Sequence, residues 1–236
     1  MEKGYRNLVY FFGVILLITF VGFYKKYFSL APDFPGLKNI HHFHAAMLIT
    51  WLGLLVIQPI LIIKKRNSLH RSIGKLSYLI VPLAFISMLL VYRNQYFNFV
   101  QQGESEEFVL AFIFSPSTDA IPFALLYLLA ILNKKDTARH MRYMITTGIV
   151  IGGPGLGRIF MTWFGMDIFM AIQLVTMITL LTFLTLIIYD RVKKKSFRIN
   201  PYTIAFIIWL VPNILIIFFP ATAAWQGFAK WLVSVG

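Results

Sequence analysis

Apolar runs of membrane-spanning length alternate along this chain with short polar loops, and every second loop is strongly basic. Loops 64–75, 134–142 and 191–198 carry five, four and five Lys or Arg residues. Loops 93–107 and 165–167 carry one and none. In bacterial polytopic proteins the basic loops stay on the cytoplasmic side of the membrane. The pattern therefore predicts a multi-pass protein of a bacterial inner (cytoplasmic) membrane.

Seven apolar segments approach the length of about 20 residues that a spanning helix needs. They lie at 7–24, 41–63, 76–92, 108–132, 143–163, 168–189 and 202–220. The sequence thus predicts an all-α, polytopic transmembrane helical bundle of about seven spans, with the N-terminus inside and the C-terminus outside. Residues 1–236 are predicted to form a single integral-membrane domain. Its end, 221–236, is rich in belt aromatics and is predicted to be an outer interfacial tail.

The composition indicates which kinds of partner this protein binds. A net charge of +13 would suggest nucleic acid in a soluble protein, but 58% of the residues are hydrophobic. Of the 22 Lys and Arg residues, 16 fall on the predicted inner side. Anionic lipid headgroups are therefore the predicted partner, and nucleic acid is not. A membrane-protein partner or a homo-oligomer stays open, and the lack of cysteine restricts metal ligands to His, Asp, Glu and backbone oxygens.

Two charged residues, Asp119 and Arg158, fall inside predicted spans. Each costs about 2.5–3.5 kcal/mol at the centre of a membrane helix, so such groups usually pair or bind a ligand. A buried ion pair and an Arg158 site for an anionic or carbonyl group are both open readings. Gln58, Gln173 and Asn213 could add polar lining to the same bundle.

The five histidines lie at predicted membrane boundaries. His41 and His44 share one helix face at the i, i+3 spacing. They could supply two imidazoles to a divalent metal. Alternatively, His44 could supply one axial nitrogen to a haem. His70 and His140 lie on the inner side, where they could ligate a cofactor or relay a proton. Their neighbouring arginines could instead bind lipid phosphate, the candidates being Arg71, Arg139 and Arg142.

Four glycines and one proline occupy 152–157, immediately before Arg158. Small residues let a neighbouring helix approach closely in a membrane, and packing is the plain reading. A planar ligand could use the same thin stretch of helix.

Two short motifs, HRxxGK from His70 and HxRYM from His140, resemble a widespread family of predicted multi-pass bacterial membrane proteins of unknown function. The resemblance covers roughly 40–190, and its signature residues are His44, His70, Arg71, Gly74, His140, Arg142, Met144 and Arg158. It implies a helical inner-membrane protein and no established reaction. A looser likeness to membrane b-type cytochromes rests on histidines near helix ends, without the regular histidine pairs expected for two stacked haems.

Three functional hypotheses follow from these residues. The first is a protein that binds a ligand or cofactor within the bundle, with a redox-linked role as one form of this hypothesis. The candidate cofactor is haem b or a divalent metal, and the candidate binding residues are His44, His70, His140 and Arg158. The second is a transporter of a small solute, an ion or protons. The third is a noncatalytic accessory or lipid-interacting subunit of a membrane complex. Hydrolase motifs such as GxSxG and HExxH are absent, and whether any reaction is catalysed stays open.

Overall fold

The computed structural model describes residues 2–193 and 199–234, and within these ranges it is helical without any strand. The helices are α1 Glu2–Phe23, α2 Asn39–Ile63, α3 Asn67–Gly74, α4 Ser77–Gln101, α5 Glu106–Phe112, α6 Ala120–Leu132, α7 Thr137–Trp163, α8 Ile168–Val192, α9 Pro201–Leu215 and α10 Ala223–Ser234. Short 3-10 turns lie at Phe28–Leu30, Ser115–Thr118 and Phe219–Ala221.

Six helical segments in the described part of the chain are long and apolar enough to cross a membrane. They are Gly4–Phe23, Asn39–Ile63, Asn67–Gln101, Glu106–Leu132, Thr137–Trp163 and Ile168–Val192. The predicted all-α polytopic bundle is therefore confirmed. The count of about seven is not confirmed, because α9 has only 15 residues and ends three residues after Pro212. Membrane orientation stays a prediction from the loop charges.

Several helix boundaries differ from those predicted. Helix α4 continues to Gln101, nine residues beyond the expected end, because no strong helix breaker precedes Gly103 and its positive φ of 83°. The first basic loop contains the short helix α3. The fourth predicted span is divided at Pro116 into α5 and α6, and Asp119 occupies the N-cap position of α6.

Helix α7 is central to the bundle and contacts α1, α2, α6, α8 and α9. Its glycines meet α1 directly. An added Cβ at Gly22 would lie 2.1 Å from the Gly155 carbonyl oxygen, and one at Gly155 would lie 2.9 Å from Thr19 Cα. The glycine-rich stretch thus serves close helix packing along α1.

The C-terminal tail docks on α5. The buried Trp225 ring donates from Nε1 to the Leu110 carbonyl oxygen at 2.7 Å, and Lys230 Nζ lies 2.9 Å from Glu106 Oε2. This contact with the Glu106 carboxylate raises the pKa of Lys230. The placement of 221–236 at an outer membrane interface stays a prediction, and residues 235 and 236 lie outside the described residues.

Candidate functional site

A cavity of about 670 Å³ opens where the end of α2, helix α3 and the start of α7 come together, with α1, α4 and α6 completing its wall. We call it the histidine cavity, because His70 and His140 both line it. Apolar side chains form much of its surface, namely Leu8, Phe12, Trp51, Leu54, Leu55, Ile62, Ile131, Met141 and Met144. The fold therefore brings together two histidines that are 70 positions apart in the chain.

His140 is fixed by its own neighbourhood. Its Nδ1 lies 2.8 Å from the carbonyl oxygen of Ala130, at the end of α6. A carbonyl oxygen can only accept, so Nδ1 carries the proton and Nε2 keeps its lone pair. A histidine held by an Nδ1–H bond to a carbonyl is the usual arrangement for a ligand of iron or another metal.

His70 is held by Gln58 on α2. With the amide oriented to satisfy its partners, the Gln58 amide nitrogen donates to His70 Nδ1 and, at 3.2 Å, to the His70 carbonyl oxygen. The Gln58 amide oxygen accepts from the Gly74 N–H at 3.1 Å. Since His70 Nδ1 accepts, a neutral His70 carries its proton on Nε2. The two imidazoles thus offer opposite groups, an N–H from His70 and a lone pair from His140.

Exposed cations adjoin the histidine cavity. Arg71, Lys75 and Lys134 all line it, and Lys134 Nζ donates to the Tyr78 hydroxyl at 3.2 Å. Together they place three positive charges beside the two histidines. An anionic group on a ligand would be stabilised there.

The other two arginines predicted to contact lipid phosphate have protein partners. Arg139 Nε lies 3.3 Å from Asp136 at the start of α7. Arg142 is buried and bonds Asp190 of α8 with two nitrogens, at 2.6 and 2.7 Å. The Asp190 carboxylate also accepts from Asn200 at 3.3 Å. A headgroup at Arg142 would have to displace this buried carboxylate.

At the opposite ends of α2 and α7, a second set of polar groups lies within the bundle. Arg158 interacts electrostatically with His44, Tyr92 and Asp119. We call these four residues the charge cluster. His44 Nδ1 lies 3.0 Å from Ser87 Oγ. The predicted association of His44, Asp119 and Arg158 stays a prediction.

The remaining predicted site residues take ordinary structural positions. His41 Nδ1 accepts from the Lys38 N–H at 2.9 Å and so caps the start of α2. Asn213 is half-buried and donates to the Trp209 carbonyl oxygen of its own helix at 2.8 Å. Gln173 was predicted to be buried, but it is exposed on α8, because its helix turn faces away from the bundle. Among residues 2–193 and 199–234, no group of three or more His, Asp or Glu side chains could hold a metal ion.

Sequence reasoning missed Asp190 as the partner of Arg142, and it missed Tyr92 as a member of the charge cluster. Asp190 was placed just outside a span, yet it is 1% exposed. In the sequence Asp190 directly follows an apolar run. A charged residue at that place is as typical of a helix end as of a buried ion pair. Tyr92 was hidden in the same way, since a tyrosine near a predicted membrane boundary is typical of the aromatic belt.

The chain matches no protein family, no curated protein and no solved structure.

Proposed function

We propose that this membrane protein binds a ligand or cofactor in the histidine cavity, with haem b as the leading candidate. The observation that carries the proposal is the meeting of His70 and His140 at one cavity, where His140 donates a hydrogen bond to α6 and His70 accepts one from α2. A bacterial inner membrane is the proposed location, from the basic loops. The signature residues His70, Gly74 and His140 all line this cavity.

The size and chemistry of the cavity suit such a ligand. A volume of about 670 Å³ lies within the range of about 300–1,000 Å³ that is common for small-molecule sites. Apolar walls would cover the ring system of a haem. The cations of Arg71, Lys75 and Lys134 would stabilise its carboxylates.

The two histidines would have different roles towards haem. His140 Nε2 has the free lone pair, so His140 would be the residue that binds the haem iron. His70 would offer its Nε2–H to the ligand as a hydrogen-bond donor, because Gln58 occupies Nδ1. When bound, the haem would supply one-electron redox chemistry, and the protein residues would hold and orient it.

Absorption spectra and metal analysis of the purified full-length protein test this proposal. We expect a Soret band in wild type, its loss in His140→Ala, and a shifted or weakened band in His70→Ala. His42→Ala is the matched control, because His42 bonds the Tyr27 hydroxyl far from the cavity and its loss should leave the spectrum unchanged. Colourless wild-type protein from haem-supplemented cells would refute haem binding.

An anionic lipid is the alternative occupant of the same cavity. In that case Arg71→Gln should reduce the lipid retained after purification, while His70→Ala and His140→Ala should have little effect. Mass spectrometry of the purified protein would show retained lipid directly.

Transport of a small solute, an ion or protons is the second candidate function. The observation that favours it is the charge cluster, whose Asp119 and Arg158 are half-buried, since ionisable groups within membrane bundles commonly mark substrate or ion pathways. Uptake into proteoliposomes that contain wild type or Asp119→Asn would test it, and equal uptake in both would argue against it.

A further inference from the structure

We propose that the histidine cavity selects a ligand with a carbonyl oxygen at its deep end, where the Trp51 indole N–H donates a hydrogen bond to that oxygen. The anionic group of the same ligand would lie at the mouth of the cavity, beside Arg71, Lys75 and Lys134. Among haems, this describes one with a carbonyl substituent on the edge opposite its carboxylates. Such selection rests on the proposed function and adds the chemical group that would distinguish the ligand from haem b.

The cavity follows one face of α2 from its mouth into the bundle. Ile62, Gln58, Leu55 and Trp51 all line it, at spacings of three or four residues that place them on the same side of the helix. A rise of 1.5 Å per residue puts Trp51 roughly 16 Å along the axis from Ile62. The cavity is therefore elongated, and Trp51 lies at the end remote from the mouth.

Trp51 holds a hydrogen-bond donor that the protein does not use. The residue is 1% exposed, and its Nε1 is shielded from solvent. Within residues 2–193 and 199–234, Nε1 has no hydrogen-bond partner. Most buried donors in proteins are paired, because leaving one unpaired is costly. An oxygen atom of a ligand in the cavity would supply the missing acceptor.

Helix α6 fixes the orientation of the indole ring. The rings of Phe123 and Tyr127 meet it in T-shaped geometry, with centroid separations of 5.7 and 5.6 Å. The Tyr127 hydroxyl is bonded to Ser77 Oγ at 2.8 Å and does not pair with the indole N–H. A donor that is already held in place loses little freedom when a ligand binds, so its hydrogen bond contributes to affinity.

The surroundings of Trp51 favour a neutral acceptor. Its neighbours on the cavity face of α2 are the apolar side chains of Leu54 and Leu55. A charged group beside them would lose its hydration, whereas a carbonyl oxygen needs only one donor. Among the described residues that line the cavity, the Lys and Arg side chains lie at the mouth. The two ends thus suit different groups, and the vinyl groups of haem b offer no acceptor to Trp51.

Two haems with the same iron and the same carboxylates test this selection. Haem b has vinyl groups on the edge opposite its carboxylates, and diformyl deuterohaem has formyl groups in their place. Titration of the haem-free, full-length protein in lipid nanodiscs, followed at the Soret band, gives both dissociation constants. Trp51→Phe keeps an aromatic ring but has no N–H. We expect it to lower the preference for the diformyl haem at least about fivefold, since one hydrogen bond is worth about that factor.

Resonance Raman spectra report the hydrogen bond directly, because a hydrogen bond to a formyl oxygen lowers its C=O stretching frequency. We expect one lowered C=O band in wild type and its return to the free frequency in Trp51→Phe. Trp209→Phe is the matched control. Trp209 is also buried, but it packs on Phe183 and does not line the cavity, so its replacement should change neither the band nor the ratio of affinities.

The spectrum of wild type needs no variant, so it decides even if Trp51→Phe misfolds. Free C=O frequencies in the bound wild-type protein would overturn the proposed selection. An unchanged preference between the two haems in folded Trp51→Phe would also overturn it. In both cases the haems still bind, and the proposed function stands. Binding of neither haem would instead refute the proposed haem site, and the selection by Trp51 with it.

Discussion

Replacement of Gly22 by alanine should force α1 away from α7. The new Cβ would lie 2.1 Å from the carbonyl oxygen and 2.8 Å from the carbonyl carbon of Gly155. Ordinary van der Waals contact begins near 3.4 Å. Both clashing atoms belong to the backbone, so no rotamer change can remove the overlap. The helices themselves must separate.

The expected cost follows from what that separation would loosen. Overpacking a well-packed interior costs about 1–3 kcal/mol. Here the same helix pair is also close at Gly148, whose added Cβ would lie 2.9 Å from Phe12, and at Gly152, where the distance to Ile15 is 3.2 Å. Moving α1 weakens packing along this whole seam. We therefore expect a loss of about 3 kcal/mol in the free energy of unfolding, at the upper end of the range.

Reversible unfolding in detergent micelles, or steric trapping in bicelles, would measure this loss. Gly13→Ala is the matched control in the same helix, because an added Cβ there meets nothing within 4 Å. Gly153→Ala serves for α7, since its Cβ would make an ordinary 3.5 Å contact with Val175. The reasoning fails if Gly22→Ala and Gly13→Ala agree within about 0.5 kcal/mol, the usual range for substitutions that disturb no packing.

Two further measurements test the charges of the bundle. In double-mutant cycles, the coupling between Arg142 and Asp190 should be about 2–3 kcal/mol, because they are in direct bidentate contact. The coupling between Asp119 and Arg158 should be below about 1 kcal/mol, because no salt bridge joins them among the described residues, and a coupling equal to that of Arg142 with Asp190 would contradict this expectation. A reporter fused at Asn67 should report cytoplasm, since the surrounding basic loop is retained inside, and a periplasmic signal would reverse the proposed orientation.

The sequence by itself determined the helical membrane architecture. Apolar runs of spanning length identify membrane helices through local composition alone. Most side chains of such a run contact lipid or other apolar side chains, whichever way the helix is rotated. For the same reason six spans could be located without knowledge of their neighbours, although α9 proved too short to count with them. The closely spaced glycines before Arg158 also predicted a helix-packing surface. They did not indicate which helix packs against it.

Only the tertiary structure decided how the polar groups combine. The pairing of Arg142 with Asp190 and the meeting of His70 with His140 depend on which helices are neighbours and how each is rotated about its axis. In a bundle that is apolar on nearly all sides, the hydrophobic pattern carries little information about that rotation. It is set instead by long-range contacts such as Gly22 on Gly155, where the absence of two side chains lets one backbone approach another.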